Sequence, residues 1–180
     1  GRGGWKYAWY LLRRNPLTLA GAALVLAVVG VAVLAPTLAP YPPDKVDFAS
    51  RLLAPGPEHW FGTDELGRDI FSRVIWGSRA SVGAGFFIVA VALSAGLVVG
   101  SISGYFGGRL DTVIMRLMDI VLGFPSLILA MALAAALGPN LTNAMLAVAF
   151  VRIPVYVRLV RGQSLQVRER EFVKGARCFG

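Results

Sequence analysis

The chain has 180 residues, 56% of them hydrophobic and only 16% charged. That is too apolar for a soluble domain and, with the charges gathered in blocks, too unevenly apolar for one globular core. A net charge of +8 raises nucleic acid as a partner, but the basic residues flank apolar runs instead of forming one stripe, so no nucleic-acid role follows. The single cysteine, Cys178, excludes an intramolecular disulfide, and His59 as the only histidine leaves no ligand cluster for a metal.

No charged residue occurs in 15–43, 80–108 or 120–151, and each gap exceeds the roughly 20 apolar residues that cross a hydrocarbon layer. The first predicted span, 17–38, follows Lys6, Arg13 and Arg14 and the aromatics Trp5, Tyr7, Trp9 and Tyr10. This order describes a helix leaving the cytoplasm, and the span is too long for a signal-peptide core of about 7–15 residues. Gly1 is not a start methionine, which leaves room for a longer chain before it. Pro36, Pro40, Pro42 and Pro43 end the helix on the outer side.

The sequence divides into an N-terminal cytoplasmic segment with the first span (1–40), an extracytoplasmic loop (41–79) and a core of three spans with the start of a cytoplasmic loop (80–180). In the outer loop, Ile70, Phe71, Val74 and Ile75 share one helical stripe, which predicts a helix over 68–78 lying on the membrane surface or in a small soluble subdomain. Trp60, Phe61 and Trp76 suit the headgroup level, and His59 reads as a solvated loop residue. Asp64 and Arg68, spaced i,i+4, form either a surface ion pair of little value or part of a fixed turn held against a partner.

The second span, 81–104, places Gly96, Gly100 and Gly104 on one face, where another helix can approach closely. A glycine-rich inner turn at 105–109 leads to the third span, 110–137, which carries Arg116 and Asp119 near its start and Pro125 in its middle. Charge at depth is expensive, so Arg116 and Asp119 are expected to face protein and pair with each other or across the bundle, unless they snorkel at the inner interface. Gly138, Pro139 and Asn140 make an outer turn before the fourth span, 141–160. Arg158, Arg161, Arg168, Arg170, Lys174 and Arg177 against Glu169 and Glu171 then place both chain ends inside.

No phosphate-binding loop, paired histidines or serine elbow occurs, so the chain reads as no enzyme, with no catalytic, cofactor-binding or metal residues. Three stretches carry a family resemblance. The run from His59 to Arg73, including Gly62, Thr63, Asp64, Gly67, Arg68 and Asp69, with Gly77 and Arg79, closely resembles the segment ahead of the second helix in dipeptide, oligopeptide and nickel permeases. Asp111, Arg116, Asp119, Phe124 and Pro125 through Gly138 and Pro139 look like that family's third helix. Pro154, Tyr156 and Arg158 to Gly162, continuing to Glu171, Phe172, Val173, Lys174, Gly175, Ala176, Arg177 and Gly180, are similar to the cytoplasmic loop by which importer permeases engage their ATPases. Lys174, Gly175 and Ala176 stand where that loop commonly reads Glu-Ala-Ala.

The resemblance implies an all-α, polytopic helix bundle of the type I ABC importer kind in the bacterial or archaeal inner membrane, four of six spans being present and the chain a C-terminally truncated fragment. It implies a second homologous permease subunit, two ATP-binding subunits and an extracytoplasmic solute-binding protein as partners, beside the lipid bilayer. The implied solute is a di- or oligopeptide, with nickel or another small solute as alternatives. An ion-coupled secondary transporter or a non-transporting anchor is the rival of another class. The implied coupling segment is Arg168, Glu171, Phe172, Lys174, Gly175, Ala176, Phe179 and Gly180, read as a short helix that docks in a groove of the ATPase.

Overall fold

The computed structural model describes residues 15–171, 173 and 175, and among these every regular element is helical. The helices are α1 (Pro16–Leu38), α2 (Ile70–Phe106), α3 (Gly108–Leu122), α4 (Ser126–Leu137) and α5 (Leu141–Arg168), with a 3-10 turn at Phe48–Ser50. α1, α2 and α5 are long and apolar enough to cross a membrane. The chain divides into two compact units between Gly83 and Ala84.

In the first unit, the Asn15 side chain accepts the Leu17 N–H at 3.1 Å, and Pro16 opens α1 where a missing amide costs nothing. The 23 residues of α1 extend about 35 Å. Only Ala32 and Ala35 of α1 are buried. The separate surface helix expected over 68–78 does not exist as such: α2 runs unbroken for 37 residues from Ile70, through the expected boundary at 79. No proline falls in α2, and neither Gly77 nor the charge at Arg79 interrupts its hydrogen-bond ladder.

In the second unit, α2 and α5 pack backbone to backbone. A Cβ placed on Gly100 would lie 2.7 Å from the Val157 carbonyl oxygen and 2.8 Å from Val160 Cβ. Gly96 meets Tyr156 and Gly104 meets Ser164 in the same way, so the glycine face is occupied by α5.

The third span is not one rod. α3 and α4 are bent 89° from each other at Gly123, Phe124 and Pro125. Pro125 has no N–H to continue the ladder and drives Phe124 away from helical geometry, while Gly123 N–H closes α3 on the Asp119 carbonyl at 2.9 Å. The 12 residues of α4 rise only about 18 Å. Asn143 Nδ2 donates to the Leu137 carbonyl at 2.7 Å, and Asn140 caps α5 by accepting the Thr142 N–H at 2.9 Å. α5 then continues to Arg168, eight residues past the expected end of its span.

Gly100→Leu is expected to pry α2 from α5 and lower the melting temperature of the purified full-length protein, an overpacking cost of about 1–3 kcal/mol. Gly85→Ala, where an added Cβ meets nothing within 4 Å, is the matched control and should leave melting unchanged or raise it.

Candidate functional site

The outer loop of the first unit is built around Asp64. Its Oδ1 accepts the N–H groups of Leu66 (2.9 Å) and Arg68 (3.0 Å), and its Oδ2 accepts Arg68 Nε (2.8 Å) and Arg73 Nη1 (2.7 Å). The backbone closes the same turn, with Asp64 N–H on the Arg68 carbonyl and Gly67 N–H on the Asp64 carbonyl. Gly67 sits at φ +73°, and a Cβ there would run into the Asp47 carbonyl; Gly62 sits at φ +74° against the Leu53 carbonyl. Both positions therefore require glycine.

Thr63 and Asp69 tie the loop to the start of α2. The buried Thr63 hydroxyl accepts the Leu53 N–H at 2.8 Å and donates to the Ser50 carbonyl. Asp69 accepts the Ser72 N–H at 2.7 Å and faces His59 Nδ1 at 2.9 Å, and the fully buried Ser72 hydroxyl accepts the Tyr41 N–H. His59 is thus not the solvated residue expected from sequence: its ring packs 5.1 Å from that of Tyr41, and its side chain is 15% exposed. The His59–Asp69 contact ties the loop to the residue that precedes α2. Phe71 lies between Trp60 and Phe61, with ring centres 4.8 and 5.2 Å away.

Burial raises the Asp64 carboxyl, but the Arg68 and Leu66 amides and the Arg68 guanidinium outweigh it and hold the group down at about 2. Asp69 is raised by burial and brought below its ordinary value by Ser72 and then His59. Six of the motif residues proposed from sequence, Gly62, Thr63, Asp64, Gly67, Arg68 and Asp69, lie together in the loop, and the seventh, Arg73, reaches Asp64 from the first turn of α2.

The second unit holds an ionic cluster that sequence reasoning missed. Asp111 of α3 receives a two-pronged contact from Arg161 of α5, Nε at 2.5 Å and Nη2 at 2.6 Å, and also the hydroxyl of the buried Ser103 of α2. One carboxylate thereby joins three helices. Asp119 pairs with Arg158 of α5 at 2.5 Å and not with Arg116, which has no ion-pair partner among the described residues. Both members of the Asp119–Arg158 pair are half exposed, at 59% and 50%. Arg152, midway along α5, is exposed and likewise has no carboxylate partner among the described residues.

Of the expected coupling segment, Arg168 ends α5 and donates to the Tyr105 carbonyl at 3.3 Å, and Glu171 is exposed. Phe172, Lys174, Ala176, Phe179 and Gly180 lie outside the described residues.

Two outcomes are expected of the loop. Asp64→Asn, which removes the charge from four hydrogen bonds, should speed amide exchange at Leu66 and Arg68 by about tenfold or more in the full-length protein, read by hydrogen-exchange mass spectrometry. Because the folded carboxyl titrates at about 2 and the free one at 3.8, its stabilisation is complete above 3.8 and is lost as pH falls through about 2. Trp60 fluorescence, with Trp5, Trp9 and Trp76 replaced by phenylalanine, should show an acid transition in that window that Asp64→Asn abolishes.

Residues 96–180 match the model of the family described as binding-protein-dependent transport system inner membrane component, and residues 4–55 match the N-terminal transmembrane domain of oligopeptide transport permease C. The chain is 52% identical over 177 residues to the probable D,D-dipeptide transport system permease protein DdpC of Escherichia coli, covering 98% of this chain and 59% of that protein. It is 42% identical to the dipeptide transport system permease protein DppC of Alkalihalophilus pseudofirmus, over 98% of this chain and 58% of that one. To the glutathione transport system permease protein GsiD of Pectobacterium atrosepticum it is 37% identical, over 98% and 59%. The chain thus spans about three-fifths of the length of these curated relatives. With one family model on either side of the Asp64 loop and relatives aligned across it, nearly the whole chain matches binding-protein-dependent transport system inner membrane components.

Proposed function

We infer that this chain is part of the permease subunit of an ATP-driven importer whose solute is a di- or oligopeptide. The observation that carries the reading is its alignment, over nearly its full length, with permeases of dipeptide and D,D-dipeptide transport systems. The subunit has no chemistry of its own: helices rearrange to open a path alternately to each side, and separate subunits hydrolyse ATP. Its partners are a second permease, two ATP-binding subunits and an extracytoplasmic solute-binding protein. The N-terminus and Arg161 are cytoplasmic, and 43–67 and Asn140 lie outside, in keeping with the basic residues at the inner ends of the spans. The segment 168–180 docks on the ATPase.

Two features support a path driven from outside the membrane. Asp111 and Asp119, the carboxylates of α3, are both engaged by arginines, which leaves neither free as the proton or ion site that a secondary transporter needs. Arg152 sits about 16 Å along α5 from Leu141, a depth at which a guanidinium faces water or protein and not lipid. We place it on the solute path, where it attracts a peptide carboxylate.

The full-length protein, produced with its partner subunits and reconstituted in vesicles, should take up a radiolabelled dipeptide only with ATP and the solute-binding protein. Arg152→Leu should cut that uptake by about tenfold or more while the ATPase subunits stay bound. Uptake driven by a proton gradient without ATPase subunits would overturn the importer reading, and unchanged uptake by Arg152→Leu would remove that residue from the path. In intact cells a membrane-impermeant thiol reagent should label Ser50→Cys and spare Lys6→Cys; the reverse would invert the topology.

A further inference from the structure

We propose that α3 is not the lower half of a transmembrane span but an interfacial helix, lying nearly flat at the cytoplasmic surface of the bilayer with its apolar stripe among the acyl chains and Arg109 and Arg116 on anionic lipid headgroups. The two ionic contacts between α3 and α5 carry the geometry. Asp111 and Asp119 are eight residues apart, about 12 Å along α3, yet their partners Arg161 and Arg158 are three residues apart, about 4.5 Å along α5. α3 therefore advances far along its own axis while climbing little along a helix that spans. The 89° bend into α4 says the same from the other end, and α4 alone makes the steep ascent.

The surface of α3 fits this placement. Leu110, Val113, Leu117 and Ile120 recur at steps of three and four, so they form one stripe, and all four are exposed, at 45, 58, 53 and 61%. Asp111, Met115 and Met118 fall on another face, the one whose Asp111 meets α5. Arg109 and Arg116 lie seven residues apart beside the stripe, exposed, and no carboxylate pairs with either among the described residues. An apolar stripe edged by unpaired cations is complementary to an anionic lipid surface. Gly107 and Gly108, at φ +66° and +58°, make the turn from α2 into α3, and the exposed rings of Tyr105 and Phe106 at that turn suit the headgroup level.

The test uses the full-length permease with its partner subunits in phosphatidylethanolamine vesicles containing phosphatidylglycerol. Nitroxide labels are placed one at a time by Leu110→Cys, Val113→Cys, Leu117→Cys and Ile120→Cys, with Cys178 replaced by serine. Collision with oxygen and with a water-soluble nickel chelate reads their depth. An interfacial α3 puts all four within about 5 Å of one depth, at the boundary of headgroups and acyl chains, with a Thr112→Cys label more open to the chelate. A depth that steps by about 15 Å between positions 110 and 120 would make α3 part of a spanning rod and overturn the proposal. Labels shielded from both reagents would also overturn it, by showing that protein covers the stripe. Replacing Arg109 and Arg116 together by glutamine should move the labels outward and remove their dependence on phosphatidylglycerol; an unchanged depth in that variant would refute the headgroup contact.

Discussion

The second unit depends on how closely two backbones can approach in a medium where apolar side chains gain nothing by leaving lipid for one another. Gly96, Gly100 and Gly104 offer α5 a surface with no side chains, and Tyr156, Val157, Val160, Arg161 and Ser164 settle on it at distances that any Cβ would forbid. The approach has an electrostatic consequence. Ser103 stands next to the last of these glycines, so bringing α5 against α2 puts its hydroxyl and the guanidinium of Arg161 on the same carboxylate of Asp111. Had larger residues held α2 and α5 apart, a carboxylate between them would have been left with too few donors, which in a low-dielectric setting is costly.

In the first unit the equivalent role falls to backbone amides. Between Ala39 and Asp69 the chain has one short 3-10 turn and a single isolated bridge, Thr63 to Asp69, so side chains do much of the work that a sheet would otherwise do. Asp64, Thr63 and Asp69 each satisfy backbone or side-chain donors across the loop, and the two left-handed glycines let strands of chain pass where a methyl group would not fit. The dense run from His59 to Arg73 is thereby used up in shaping the loop. What the loop leaves outward includes the apolar side chains Leu52, Leu53, Trp60 and Phe61, beside the exposed Glu65 and Arg73.

What could be read from the sequence followed the range of the interaction. Apolar length marked α1 to within one residue, and a four-residue glycine period marked the α2 face that α5 covers, because both signals are local. Pro125 announced a break but not its angle, since a proline removes one hydrogen bond and leaves the direction of the next helix to packing. The pairing of Asp111 with Arg161 spans 50 residues and was invisible to any spacing rule; Asp119 looked equally able to pair with Arg116, three positions away. His59 was misread for the same reason, because the tyrosine and aspartate that enclose it come from 18 residues before and 10 after. The helix break expected near Arg79 is absent because an arginine with a long stem sits comfortably in a helix that projects beyond the hydrocarbon, and here its guanidinium lies over the Trp76 ring.

If the ATPase acts on the segment that follows α5, the mechanical path inward is already defined. α5 is one helix from Leu141 to Arg168, so force at its cytoplasmic end is carried along 28 residues. Arg158 and Arg161 transmit it sideways to α3 through contacts of 2.5 Å, and the two-pronged grip on Asp111 resists rotation as well as separation. Beyond α3 the chain is held differently. Gly123, Phe124 and Pro125 form no continuous ladder, and a junction of that kind absorbs a change of angle at little cost while the helices on either side stay intact. Motion of α5 would therefore carry α3 with it and alter the 89° angle at the junction, which makes residues 123–125 the place where a displacement at the surface becomes a change of shape within the membrane.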